Sequence, residues 1–90
     1  MIKSNLLIVD DHKNVLKALQ HLLEQEFSTI HTTTNPNLIL NFIRDFKIDV
    51  VLLDMNYSAG INTGNEGIYW LEQILHNDPD IAVVLITAYG

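Results

Sequence analysis

Four oxygen-bearing residues stand at the ends of apolar runs. Asp10 and Asp11 close Leu6-Leu7-Ile8-Val9, Asp54 closes the run from Ile48 to Leu53, and Thr87 follows the run from Ile81 to Ile86. A single Asp at the end of a strand is more often a turn or helix-capping residue than a ligand, and a Thr there is ordinary. The combination is more informative. If the runs lie side by side and parallel, their tips bring three carboxylates together, with a hydroxyl alongside. Carboxylates that close raise one another's pKa and destabilise the fold unless a cation stands among them. With hard oxygen donors and no His or Cys nearby, Mg²⁺ is the expected ion. Such an ion neutralises the pocket and orients a phosphoryl group against a carboxylate nucleophile.

The elements that must position these residues alternate along the chain. Leu6–Val9 is rich in branched residues and continuously apolar, as a strand buried on both faces is. Val15, Leu16, Leu19, Leu22 and Leu23 recur at helical spacing and predict a helix over 12–26, with Asp11 as its N-cap. Phe27 to Thr33 reads as a second strand. Asn35-Pro36 is a helix start, followed by an apolar stripe of Ile39, Phe42, Ile43 and Phe46. Ile48 to Asp54 is a third strand, a helix is expected over 66–77, Asp78-Pro79-Asp80 is a turn, and Ile81 to Ile86 is a fourth strand. Strands alternating with helices imply a parallel α/β sheet with helices on both faces. Ligands of such folds bind beyond the C-terminal ends of the strands, where the strand order reverses.

Composition excludes several classes. The 90 residues are 48% hydrophobic and 18% charged, so they form one small folded domain and not a disordered chain. No apolar run approaches the roughly 20 residues of a membrane span. There is no cysteine, which removes disulfides and thiolate chemistry and fits a cytoplasmic protein. Net charge is −6, and the five Lys and Arg are scattered, so direct nucleic-acid binding by this segment is not expected. His12, His21, His31 and His76 share no ligand spacing and read as surface or half-buried residues. His12, beside the acid pair, is the one to examine as a neighbour of the pocket.

Leu-Ile-Val-Asp-Asp at 7–11, Val-Val-Leu-Leu-Asp-Met at 50–55 and Leu-Ile-Thr-Ala-Tyr-Gly at 85–90 resemble the receiver domains of two-component response regulators. The Thr-Ala-Tyr-Gly ending is most similar to the nitrogen-regulation, sigma-54-activating type. The resemblance implies a flavodoxin-like doubly wound parallel sheet of strand order 2-1-3-4. By it, Asp54 accepts a phosphoryl group from a sensor histidine kinase. Asp11 ligates Mg²⁺ directly, Asp10 mostly through water, and Asn56 through its backbone carbonyl. Thr87 and the amide of Ala88 hold the phosphoryl oxygens. The output it serves is expected to be transcription.

Two departures from the family pattern stand out. The link after Asp54, from Met55 to Glu66, lacks Pro and is several residues longer than usual. It reads either as a tolerated surface insertion or as a lid over the phosphorylated Asp. The pattern also continues past Gly90 with a fifth strand bearing an essential Lys, and Lys3, Lys13, Lys17 and Lys47 sit in the wrong places for that role. Residues 1–90 are therefore expected to be a partial receiver domain lacking the last βα portion. Its fourth strand would be an open apolar edge inviting a homodimer or a swapped assembly. Two rivals remain, a receiver-like interaction module that is never phosphorylated, and a phospho-Asp hydrolase. The hydrolase needs a second acid two residues after its nucleophile, where this chain has Asn56. A nucleotide-binding fold is weaker still, since no Gly-rich loop follows the first strand.

Overall fold

A computed structural model describes residues 2–54 and 65–86, with residues 2, 3 and 65–67 described by their backbone alone. In chain order the elements are β1 (Ile2–Val9), α1 (Lys13–Leu23), β2 (Phe27–Thr33), a single 3₁₀ turn (Pro36–Leu38), α2 (Ile39–Phe46), β3 (Val50–Asp54), α3 (Asn65–Asn77) and β4 (Ala82–Ile86). The strands form one parallel sheet in the order β2-β1-β3-β4, which is the flavodoxin-like arrangement expected. The long link over 55–66, apart from its last two residues, lies outside the described residues, as do Thr87, Ala88 and Tyr89.

Alternation along β1 divides the core into two layers. Leu7 and Val9 face one side, where they pack with Ile39 and Ile43 of α2, Val51 and Leu53 of β3, and Ile74 of α3. Leu6 and Ile8 face the other side and pack with Leu16 of α1. All four of these β1 side chains are fully buried, which is why the run is apolar without a break. The chain steps from β1 to β2 in one direction and from β2 to β3 and β3 to β4 in the other. If every crossover has the usual right hand, α1 must lie opposite α2 and α3, as the two layers show.

Helix α1 is shorter than its apolar spacing predicted. The Glu26 amide donates to the Leu23 carbonyl at 2.9 Å, which closes a turn and leads directly into β2. Leu16, Leu19 and Leu23 face the sheet, whereas Val15 is 38% and Leu22 72% exposed. The stripe is thus narrower than the five residues expected, because positions 15 and 22 lie to its side. Asp11 does not cap this helix. His12 occupies the N-cap in an extended conformation without a side-chain capping bond. At the next helix start the Asn35 side chain accepts from the Asn37 amide at 3.0 Å ahead of Pro36, but what it caps is the 3₁₀ turn, and α2 itself begins only at Ile39, after Leu38.

The end of the sheet away from the acids is held by Asn5. Its side-chain amide donates to the carbonyls of Phe46 and Lys47 and its side-chain carbonyl accepts from Thr29 Oγ1 at 2.6 Å. Its backbone amide donates to Asp49 Oδ2 at 2.9 Å. These bonds satisfy carbonyls that the last turn of α2 leaves without helical partners. They also support Lys47, which closes α2 in the left-handed region at φ 50°. One residue therefore ties β1 to β2, to the end of α2 and to the approach to β3.

No helix among the described residues is long and apolar enough to cross a membrane. Strand β4 pairs only with β3 among the described residues, and its Val84 and Leu85 are 48% and 37% exposed. Ile74→Ala, at a fully buried site, is expected to destabilise the fold by about 2–5 kcal/mol. Leu22→Ala is expected to change stability by less than about 0.5 kcal/mol. Urea unfolding followed by Trp70 fluorescence checks both, and equal losses would mean that α1 faces the sheet differently.

Candidate metal and phosphoacceptor site

The site is made by register. Val9 of β1 pairs with Leu53 of β3, so the next residues, Asp10 and Asp54, arrive together at the sheet's C-terminal edge. The strand order reverses between β1 and β3, which is where folds of this class hold their ligands. The Asp10 backbone amide still donates to the Thr33 carbonyl at 3.3 Å, holding the turn after β1 against the end of β2. Asp54 is paired with Ile86 of β4, and Thr87 is the next residue in the sequence.

Asp10 and Asp54 are each only 5% exposed. One ligand-capable atom from each of Asp10, Asp11, His12 and Asp54 lies within 4.8 Å of the other three. The structure therefore brings together the three acids singled out from sequence. Asn56, Thr87 and Ala88, the other expected site residues, lie outside the described residues.

The turn into α1 engages Asp10 and not, as expected, Asp11. Asp10 Oδ1 accepts the His12 backbone amide at 2.8 Å and contacts His12 Nδ1 at 3.1 Å, so Asp10 orders the turn into α1. Asp11 is released from capping. Its Oδ1 is shut off from solvent and accepts no hydrogen bond, although His12 Nδ1 lies 2.8 Å away. That is proximity without a hydrogen-bonding angle. A buried carboxylate oxygen without a hydrogen bond is costly, and a cation offers the interaction it lacks. Two buried carboxylates and this oxygen make a donor set of hard oxygens that suits Mg²⁺.

The donor set expected from the sequence has no His nearby, and the structure places His12 in it. The clue was its position directly after the acid pair, but which way a 65% exposed side chain turns is decided by the turn geometry. Nδ1 faces two carboxylates, an arrangement that favours a proton on that ring nitrogen. The Asp10 hydrogen bond, then the charges of Asp11, Asp10 and Asp54, raise the His12 pKa above 6.5, with desolvation acting in the opposite direction.

The response regulator receiver domain family matches residues 6–90, and the chain belongs to that family. It is 34% identical over 84 residues to the heme response regulator HssR of Staphylococcus epidermidis, a match covering 93% of this chain and 35% of that protein. It is 30% identical over 90 residues to sporulation initiation phosphotransferase F of Bacillus subtilis, covering all of this chain and 68% of that protein. Among solved structures it resembles the N-terminal signal receiver domain of a two-component response regulator from Bacteroides fragilis. There the TM-score is 0.80 at 40% identity, covering 93% of this chain and 65% of the other. The chain thus spans about a third of the length of HssR. None of these relatives is described as nitrogen-regulating.

In the presence of a chelator, His12 makes stability depend on pH. Its folded pKa is raised above 6.5, so its contribution is present in full below that value and is lost as pH rises through the folded pKa. Urea midpoints of wild type and His12→Asn are therefore expected to converge on going from acid to mildly alkaline pH. A constant gap between the two would show that the imidazolium adds nothing.

Proposed function

We propose that this chain is the phosphoryl-accepting part of a response regulator, with Asp54 as the acceptor and Asp10, Asp11 and Asp54 as Mg²⁺ ligands. The observation that carries the reading is the convergence of these acids at one strand-order reversal, in a chain of the receiver family. An Asp54 carboxylate oxygen forms a bond to phosphorus while the bond from phosphorus to the donor breaks and the donor keeps the electron pair. The donor is the phosphohistidine of a sensor kinase. Bound Mg²⁺ supplies charge neutralisation and orientation of the phosphoryl oxygens. Burial holds Asp54 ready and keeps bulk water from competing with it. Asp10, anchored by His12, keeps the mouth of the pocket in shape.

Asn56, Thr87 and Ala88 complete the proposed set, the first through its backbone carbonyl and the others as partners of the phosphoryl oxygens. The protein is then a switch that passes its state to an output, here transcription, and not an enzyme with turnover. The name of one relative, HssR, as a heme response regulator supports the signalling role. The narrower nitrogen-regulation type rests on Thr87–Gly90 alone. The exposed apolar side chains of β4 support association of two copies, and a single monomeric species across concentrations in sedimentation would remove that part.

Beryllofluoride, a phosphoryl mimic, tests the core of the reading. With Mg²⁺ it is expected to shift the amide resonances of Asp10, Asp11 and the residues at the end of β4, and Asp54→Asn is expected to abolish the response. Mg²⁺ alone should raise the unfolding temperature, by an amount equivalent to about 2.7 kcal/mol when present at roughly a hundred times its Kd. No beryllofluoride response in the presence of bound Mg²⁺ would favour an interaction module that is never phosphorylated. Sustained hydrolysis of a phosphomonoester would favour the hydrolase.

A further inference from the structure

We propose that His12 supplies a nitrogen ligand to the acidic pocket, so that borderline transition-metal ions such as Zn²⁺ and Ni²⁺ bind there and compete with Mg²⁺. The inference rests on the cation-site reading above and concerns the selectivity of that same site.

Geometry is the first support. His12 Nδ1 lies 3.1 Å from Asp10 Oδ1 and 2.8 Å from Asp11 Oδ1, and these atoms share one cluster with Asp54. Around a tetrahedral ion with ligand bonds of about 2.0–2.2 Å, neighbouring donor atoms stand roughly 3.3–3.6 Å apart. The imidazole is therefore slightly closer to its two carboxylates than an ion would require, while donor atoms elsewhere in the cluster stand up to 4.8 Å apart, so binding moves the ring outward and draws the wider-set carboxylates in. The ring is free to make it, being 65% exposed, while its backbone is fixed. The His12 amide donates to Asp10 Oδ1 at 2.8 Å, and its carbonyl accepts from the amides of Val15 and Leu16. The unsatisfied Asp11 Oδ1 is the donor atom left waiting beside it.

Chemistry is the second support. An all-oxygen set suits Mg²⁺, whereas imidazole suits zinc and nickel, and both of these exceed the other common divalent ions below them in general affinity. The remaining histidines do not join the cluster: His31 stacks on Phe46, and His21 and His76 lie in the last turns of α1 and α3. The two kinds of ion would also leave the site in different states. Mg²⁺ keeps waters that phosphoryl oxygens can replace. A four-coordinate ion held by Asp10, Asp11, His12 and Asp54 has a closed shell and engages the acceptor carboxylate itself. Transition-metal occupancy would then hold the switch off.

Calorimetric titration of the 90-residue chain with ZnCl₂, NiCl₂ and MgCl₂ tests this, comparing wild type with His12→Asn and His12→Gln. Asn is a favoured N-cap residue, so the first variant keeps the start of α1. In both variants the Zn²⁺ and Ni²⁺ affinities are expected to fall at least about tenfold, since losing even a supporting partner of a metal ligand costs 10–100-fold, and to fall clearly further than the Mg²⁺ affinity, which loses only the support that the ring gives Asp10. In nitrogen-detected NMR of the imidazoles, Zn²⁺ should move the Nδ1 resonance of His12 in the wild type. Zn²⁺ affinity indifferent to His12, with Mg²⁺ still bound, overturns this inference alone. A Zn²⁺ response confined to His21, His31 or His76 does the same. Failure of the wild type to bind Mg²⁺ overturns the cation-site reading from which it starts.

Discussion

Three carboxylates held at the tip of one sheet repel one another, and the rest of the structure is arranged to keep them there. Two of the three are almost completely buried, which excludes the water that would otherwise screen them. The cost is bearable because each buried acid is engaged. Asp10 is bonded to the start of α1, and Asp54 ends a strand flanked on both sides by paired neighbours. The residual imbalance is local, at Asp11 and His12. A site that is electrostatically incomplete by itself is what cation binding requires, because the free energy of binding then includes relief of repulsion.

Holding that arrangement needs stiffness well away from it. The central strand β1 has four consecutive fully buried residues, two committed to each layer, so sliding it by one position would turn every one of them to the wrong face. Asn5 secures the same strand at its other end by bonds to β2, to the C-terminal end of α2 and, through its amide, to Asp49. The positions of Asp10 and Asp54 relative to each other are thus set by apolar packing and by a polar clasp at the far end of the sheet. Neither acts on the acids directly.

The same logic separates the helices on the two sides of the sheet. Helix α1 is alone on its side of the sheet among the described residues, which leaves Val50 and Leu52 only partly buried and Val84 exposed. On the opposite side α2 and α3 together cover Val51, Leu53 and Ile81. The acidic pocket sits above the line between these two environments, so its floor is firm and its rim, at His12, is open to solvent.

Much of this was legible in the residues themselves. The number, type and order of elements follow from unbroken branched runs and helical stripes, because a parallel strand buried on both faces cannot be written any other way. The identity of Asp10, Asp11 and Asp54 as a set follows from their positions at strand ends. What sequence could not decide depends on direction in space. Helical spacing cannot tell that Leu22 points away from the sheet or that the chain turns after Leu23, because the Glu26-to-Leu23 bond closes a turn whose place is set by where the chain must enter β2. Nor could it place His12 at the N-cap in place of Asp11, or bring the His12 ring onto the acids, since both follow from the path of three residues between β1 and α1. Residue order determined which groups are available for chemistry; only the packed sheet determined which of them touch.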